Sequence, residues 1–342
     1  MSIVSELERK VLRMGDVALE EAEDSVRLDP VSDKIKLTLK KTFYPLGFPI
    51  QVATNSRAVL VAAEENWGHF LESQSCPPLQ FHICVSEGMG SDCSRAPVYR
   101  TQGNLFSIVS DPHNFAICDL KGGFASAWLT ETTVEQKNYL RYFYLEAVAM
   151  CLLTSLYVTP IHAACVEIGG SGVLLCGDSG AGKSSLAFAC ARAGWTYISD
   201  DASYLIRDRR DRYVVGNSHQ VRLRPSAAGL FPELENISET PRVAGKPSIE
   251  APITSLIRNA STAAGSLIKY VVFLNRATLC SPNLTLFSRS RAEAQLKRYF
   301  WGDDETQTIQ VDSLRRLLTA EVLELHYSDL DGAVSRLEGL VR

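Results

Sequence analysis

Residues 177–184 run Gly177-Asp178-Ser179-Gly180-Ala181-Gly182-Lys183-Ser184. This pattern of a glycine, four residues and then Gly-Lys-Ser constrains the fold more than any other feature of the chain. Such a loop works between a buried strand and the start of a helix, because its glycines turn backbone N–H groups inward while the helix end adds partial positive charge. Both flanks agree. Val173-Leu174-Leu175-Cys176 is a short apolar run suited to a buried strand over residues 172–176. Residues 184–193 are rich in helix formers, and Gly194 supplies the stop. The loop therefore predicts a phosphate site: amides curl around a β-phosphate, Lys183 neutralises β and γ oxygens, and Ser184 offers a hydroxyl to Mg²⁺.

After Gly194 the chain reads Trp195-Thr196-Tyr197-Ile198-Ser199-Asp200-Asp201. An aromatic and β-branched strand that ends in two acids delivers carboxylates beside a phosphate loop, since ligands of parallel sheets collect at strand C-termini. Two roles are open to the pair. One acid can hold the metal shell while the other accepts a proton from an attacking hydroxyl. Downstream, Gln220-Val221-Arg222-Leu223-Arg224-Pro225 alternates, so Arg222 and Arg224 share one side of a strand, either as a clamp on phosphate or an acidic substrate or as an exposed face. Lys246, in Gly245-Lys246-Pro247, falls on a loop that can close over a ligand or serve as a surface turn.

Around this centre the pattern suggests two units. The first half, residues 1–130, reads as an antiparallel α+β unit: a helix over 5–13, an alternating segment over 34–39, then strands over 50–54, 80–85, 105–110, 115–119 and 124–129. A helix over 134–156, capped by Thr132 or Thr133, opens a second unit over 131–342. That unit holds strands over 163–168 and 172–176, a buried strand over 270–274, helices over 288–300 and 307–318, and an edge strand over 324–327 before a last helix. The cluster Arg207 to Arg212 alternates in sign and reads as a solvated hairpin tip.

Charge and composition narrow the partners. The chain has 342 residues, with 35 Lys+Arg against 39 Asp+Glu and no basic run, so nucleic acid is not an expected partner. The acidic N-terminus lacks an apolar signal core, and the longest nearly apolar run, residues 147–158, is too short to span a bilayer. A cytoplasmic protein with no membrane partner is the expectation. Nine cysteines form no Cys-x-x-Cys pair and read as reduced core residues.

From His162 through residues 172–184, the Arg192-Ala193-Gly194 helix end and the Asp200-Asp201 pair, the sequence resembles the C-terminal kinase domain of bacterial HPr kinase/phosphorylase, over about forty residues. The resemblance implies an α/β fold, α+β overall. An HPr kinase/PEP carboxykinase-like P-loop domain would stand in the second unit, behind the N-terminal α+β domain. It assigns ATP binding to Gly177, Asp178, Ser179, Gly180, Ala181, Gly182, Lys183, Ser184 and Ser185, and Mg²⁺ to Ser184, Asp200 and Asp201. Catalysis falls to Asp200, Asp201, His162 and Lys183, with Arg222, Arg224 and Lys246 left to the substrate. Ser185 stands where the family carries glutamate, and the family's Glu-x-Arg-Gly-x-Gly segment is not found after the acids. The resemblance therefore points to HPr-kinase-related serine kinases acting on a peptide, protein or small-molecule hydroxyl rather than to true HPr kinases, and it extends to homo-oligomeric assembly. The alternative is a P-loop ATPase or nucleotide-binding switch with no phosphoryl acceptor.

Overall fold

The structure is a computed structural model that describes residues 36–341 apart from 88–92, 94, 241–244 and 278–280. The helix expected over 5–13, the start of the segment expected over 34–39 and Cys280 lie outside the described residues.

A seven-stranded sheet forms from β1 (Leu39–Phe43), β2 (Ile50–Thr54), β3 (Leu79–Ser86), β4 (Val98–Gln102), β5 (Leu105–Asp111), β6 (Asn114–Asp119) and β7 (Phe124–Thr130), in the order β1-β2-β3-β7-β6-β5-β4. The expected strands are present, but the unit is not wholly antiparallel: β2 pairs β3, and β3 pairs β7, in parallel. For the first pair the reason is a helix that the strand reading passed over, α1 (Arg57–Trp67), which carries the chain from β2 back to the same end of the sheet; β7 reaches β3 after the antiparallel run β4-β5-β6. Its buried face, Val59, Ala62, Ala63 and Trp67, covers the sheet.

The single helix expected over 134–156 is broken. A short helix, α2 (Glu131–Glu135), starts one turn earlier because Thr130, not Thr132 or Thr133, caps it by accepting from the Thr133 amide. Gln136 then leaves helical geometry (φ −77°, ψ 70°), Leu140–Glu146 form a π-helical turn, and α3 (Ala147–Leu156) follows. Leu140, Tyr144, Leu145, Val148 and Leu152 pack into the core of the first sheet, which runs on to Val158, Ile206 and Val215.

The second sheet contains β8 (Val158–Ile161), β9 (Ala163–Ile168), β10 (Ser171–Cys176), β11 (Thr196–Ser199), β12 (Ser203–Ile206), β13 (Tyr213–Gly216), β16 (Gly265–Arg276), β17 (Asn283–Leu286) and β18 (Glu321–Tyr327). A separate ladder joins β14 (Gln220–Leu223) to β15 (Ile249–Pro252). Between β10 and β11 lies α4 (Lys183–Arg192), and the tail adds α5 (Arg289–Leu296), α6 (Asp304–Leu317) and α7 (Leu330–Val341). Along β10 the side chains alternate between two cores: Val173 and Leu175 face α4 and α7, while Leu174 and Cys176 face the core of α5 and α6. Burial on both faces explains why this strand reads as an unbroken apolar run. Each fully buried side chain of this size contributes about 1.5–3 kcal/mol.

Residues 324–327, expected at an edge, belong to β18, which lies inside the sheet between β16 and β17. Its buried Val322, Leu323 and Leu325 call for partners on both sides. The cluster Arg207 to Arg212 joins β12 to β13, with Arg209 paired to Asp211 at the turn. The eight described cysteines are all free.

Candidate active site

Strands β10, β16 and β18 run parallel, so their C-terminal ends, Cys176, Arg276 and Tyr327, share one edge of the sheet. The phosphate loop grows from the first of these. Gly177, Gly180 and Gly182 have φ of +150°, +98° and +97°, and Gly182 caps α4. A side chain could not replace the hydrogens here: a Cβ on Gly177 would lie 2.9 Å from the Ala181 Cβ, and one on Gly182 would run into the Tyr327 hydroxyl. That hydroxyl donates to the Ala181 carbonyl at 2.8 Å, fastening the loop to β18.

Sheet register delivers the other groups. Cys176 pairs with Ala163 on the antiparallel β9, which puts His162 opposite Gly177. Strand β11 is antiparallel to β9, so Asp200 and Asp201 emerge at the same edge as the loop. Lys183 is 6% exposed, and its Nζ lies 3.0 Å from His162 Nε2, 2.8 Å from the Gly177 carbonyl and 3.4 Å from the Asp178 carbonyl. Burial pulls the Lys183 ammonium below its ordinary range. Burial first, and then the Lys183 charge, also lower the His162 pKa, so its imidazole is neutral at pH 7. An ammonium only donates, so Nε2 is the acceptor and the ring proton sits on Nδ1, which faces Asp201 Oδ1 at 3.8 Å.

The two acids, adjacent in the chain, have opposite surroundings. Asp200 is 6% exposed, and its Oδ2 accepts from the Arg222 amide at 2.6 Å. Burial pushes its pKa up to about 7 against the pull of that amide, with the neighbouring Asp201 charge adding to the rise. Asp201 is half-exposed and lines a cleft of about 430 Å³ together with His162, Ser179, Gly180, Gly182, Lys183, Ser184 and Ser185. The Ser184 hydroxyl donates to the Asp200 carbonyl at 3.1 Å.

Arg222, Arg224 and Lys246 also line the cleft, by different means. The Arg222 guanidinium lies 2.9 Å from Glu250 and 3.9 Å from Asp201. Arg224 Nη2 and Lys246 Nζ both donate to Ser179 Oγ, at 3.0 and 2.9 Å. Asp178 points outward and meets Arg298 at 3.8 Å. The backbone of Ala181 belongs to the loop rim, held by Tyr327. Thus the residues expected at the site come together on one edge, although Asp200 turns its carboxyl inward.

Several neighbours escaped the sequence reading. Tyr299 lays its ring 4.4 Å from that of His162, and Arg298 reaches the loop from the same 3₁₀ turn after α5. Tyr327, Glu250 and Tyr142 approach from distant strands and from the π-helical turn, and no local motif marks them.

Among the described residues, no three His, Cys, Asp or Glu side chains gather as a metal cluster. A magnesium ion bound with nucleotide needs fewer, because it takes one or two protein oxygens and fills its shell with phosphate and water. The Ser184 hydroxyl and the Asp201 carboxylate, both on the cleft, fit that demand.

Residues 156–224, from just before β8 to Arg224, match the family model described as the HPr Serine kinase C-terminal domain. Over these residues the chain is similar to the HPr kinase C-terminal domain. The matched stretch holds His162, the whole phosphate loop, both acids and both arginines of the cleft. The chain is 38% identical over 63 residues to the HPr kinase/phosphorylase of Halalkalibacterium halodurans, covering 18% of this chain and 20% of that protein. The chain thus spans about a fifth of that relative's length. The solved Hpr(Ser) kinase/phosphatase of Coxiella burnetii covers 53% of this chain and 97% of its own at 14% identity, with a TM-score of 0.28, too loose a superposition to inform the fold. No described helix is long and apolar enough to cross a membrane.

Proposed function

We propose that this HPr-kinase-like chain is an ATP- and Mg²⁺-dependent phosphotransferase that moves the γ-phosphoryl group to a hydroxyl, with serine on a peptide, a protein or a free small molecule as the acceptor class. The observation that carries this reading is the placement of one exposed carboxylate, Asp201, and one neutral imidazole, His162, across the same cleft from the loop lysine.

In this reading the amides of residues 177–184 and Lys183 hold the phosphates, while Arg224 and Lys246 neutralise the group in transit. Ser184 and Asp201 would hold magnesium, which would supply neutralisation of phosphate charge. The acceptor oxygen attacks phosphorus in line, its proton passes to Asp201, and the bond to the β-phosphate oxygen breaks to release ADP. His162 holds the geometry from Nδ1, its ring kept in place by Tyr299. Asp200 supports the site from behind, through the Arg222 amide and the Ser184 hydroxyl. The cytoplasm and a homo-oligomeric state complete the proposal.

The test is transfer of label from [γ-³²P]ATP into separate peptide, protein and small-molecule pools. Label in one acceptor pool, lost by about 10² to 10⁴ in Asp201→Asn, supports the kinase. Label released only as inorganic phosphate across all pools would replace it with the switch.

A further inference from the structure

Strand β14 sets Arg222 among carboxylates of unequal exposure, with Glu146 and Glu250 the strongest charges on it. Its guanidinium Nε lies 2.9 Å from Glu250 Oε1, and its Nη1 lies 3.9 Å from Asp201 Oδ2. The first pairing is fixed by register, because Arg222 stands directly opposite Glu250 in the β14–β15 ladder. The Glu250 side chain is 1% exposed and wholly engaged: Tyr142 donates its hydroxyl to Oε2, Gln220 Nε2 donates to the same oxygen at 3.1 Å, and Ser248 Oγ donates to Oε1 at 3.0 Å. The Tyr142 ring lies 5.8 Å from the guanidinium carbon. Tyr142 sits on the π-helical turn Leu140–Glu146, whose neighbours pack into the core of the first sheet. Single π-turns inside helices occur frequently at functional sites.

We propose that Glu250 and Tyr142 are positioning residues that form a guanidinium socket, holding the Arg222 side chain at the cleft and away from full contact with Asp201. A buried carboxylate with satisfied donors outcompetes a half-exposed one for the same cation, because water screens the second pair and not the first. Without the socket the guanidinium moves to Asp201 and occupies the carboxylate that must face the acceptor hydroxyl. The π-helical turn that packs against the first sheet thereby acquires a stated part in the site, since Tyr142 forms one wall of the socket. The consequence for turnover rests on the kinase reading above; the socket itself does not.

The experiment vacates the socket and refills it. In Arg222→Ala, low-millimolar methylguanidinium is expected to raise the melting temperature by a few degrees and to restore transfer at least tenfold, whereas Arg222→Ala combined with Glu250→Gln shows neither effect. Since Arg222→Ala strands a buried carboxylate and can fail to fold, Tyr142→Phe provides an independent arm: kcat falls about tenfold while the nucleotide KM stays within twofold. Equal rescue in both backgrounds, rescue in neither, or a Tyr142→Phe effect confined to KM overturns the proposal. If the wild-type protein transfers no label, the kinase reading falls, and the melting comparison still decides the socket: a methylguanidinium response confined to the Glu250 background supports it, and an equal response in both overturns it.

Discussion

Replacing Asp200 with asparagine separates what the fold prefers from what the site uses. The Asp200 carboxyl is 6% exposed, and burial drives its pKa from 3.8 to about 7. The fold therefore favours the protonated form. The stability this gives is complete below about pH 4 and is lost as pH rises through 7, because the unfolded chain ionises first. A rise of that size corresponds to roughly 4 kcal/mol of stability forgone at alkaline pH. Asparagine is neutral at every pH, keeps the shape, and leaves an oxygen to accept from the Arg222 amide at the position now 2.6 Å away. The expected result for metal- and nucleotide-free protein is that Asp200→Asn melts with the wild type near pH 4 and above it at pH 8.5, by on the order of 8 °C. Scanning calorimetry at matched ionic strength reads both values. If Asp200→Asn melts no higher than the wild type at pH 8.5, the carboxyl is not forced toward neutrality, and the contrast drawn between the two acids fails.

Two further substitutions test the loop. Gly182→Ala places a side chain at φ +97° and against the Tyr327 hydroxyl; strain of about 1–3 kcal/mol predicts a nucleotide affinity at least fivefold lower by titration calorimetry, and unchanged affinity would show that the loop tolerates another shape. Tyr327→Phe removes the 2.8 Å hydrogen bond to the Ala181 carbonyl; at about 1 kcal/mol for such a bond, nucleotide affinity is expected to fall about fivefold with little change in melting, and a melting loss without an affinity loss would make the tyrosine structural only.

What could be read from the sequence was local. The run 172–176, the glycines and the helix start lie within 20 residues, and each is dictated by its own neighbours, so β10, the loop and α4 fall where expected. Five strands of the first sheet were legible for the same reason, while β4 was passed over and β1 begins where the expected alternating segment ends. Their pairing was not, because parallel register depends on α1, whose mixed apolar and charged residues 57–67 carry no side-chain cap. The helix break at Gln136 was hidden because Thr130, Thr132 and Thr133 are equally good caps in isolation, and the choice is made by Asn114, which bonds both the Thr130 amide and its hydroxyl. In the site, the acids could be named but not distinguished, since only burial tells Asp200 from Asp201. Glu250 and Tyr142, separated by 108 positions, meet through strand register and a π-turn that no short pattern announces.

The way the cleft holds its cations follows from what must replace their present partners. Lys183 rests on backbone carbonyls and a neutral imidazole, and Arg224 and Lys246 share one serine hydroxyl. These are uncharged acceptors, so a phosphate oxygen that takes their place gains a charge-assisted bond without breaking an ion pair. Arg222 is the contrast: its carboxylate partner is buried and satisfied, and the charges of Glu146, Glu250, Asp200 and Asp201 more than offset burial in keeping it protonated. Breaking that pair would strand Glu250, at a cost of several kcal/mol. The cleft therefore divides its positive charge into a part free to follow phosphate and a part fixed to the scaffold. The fixed part is the one that touches both acids, through the main chain to Asp200 and through the side chain to Asp201.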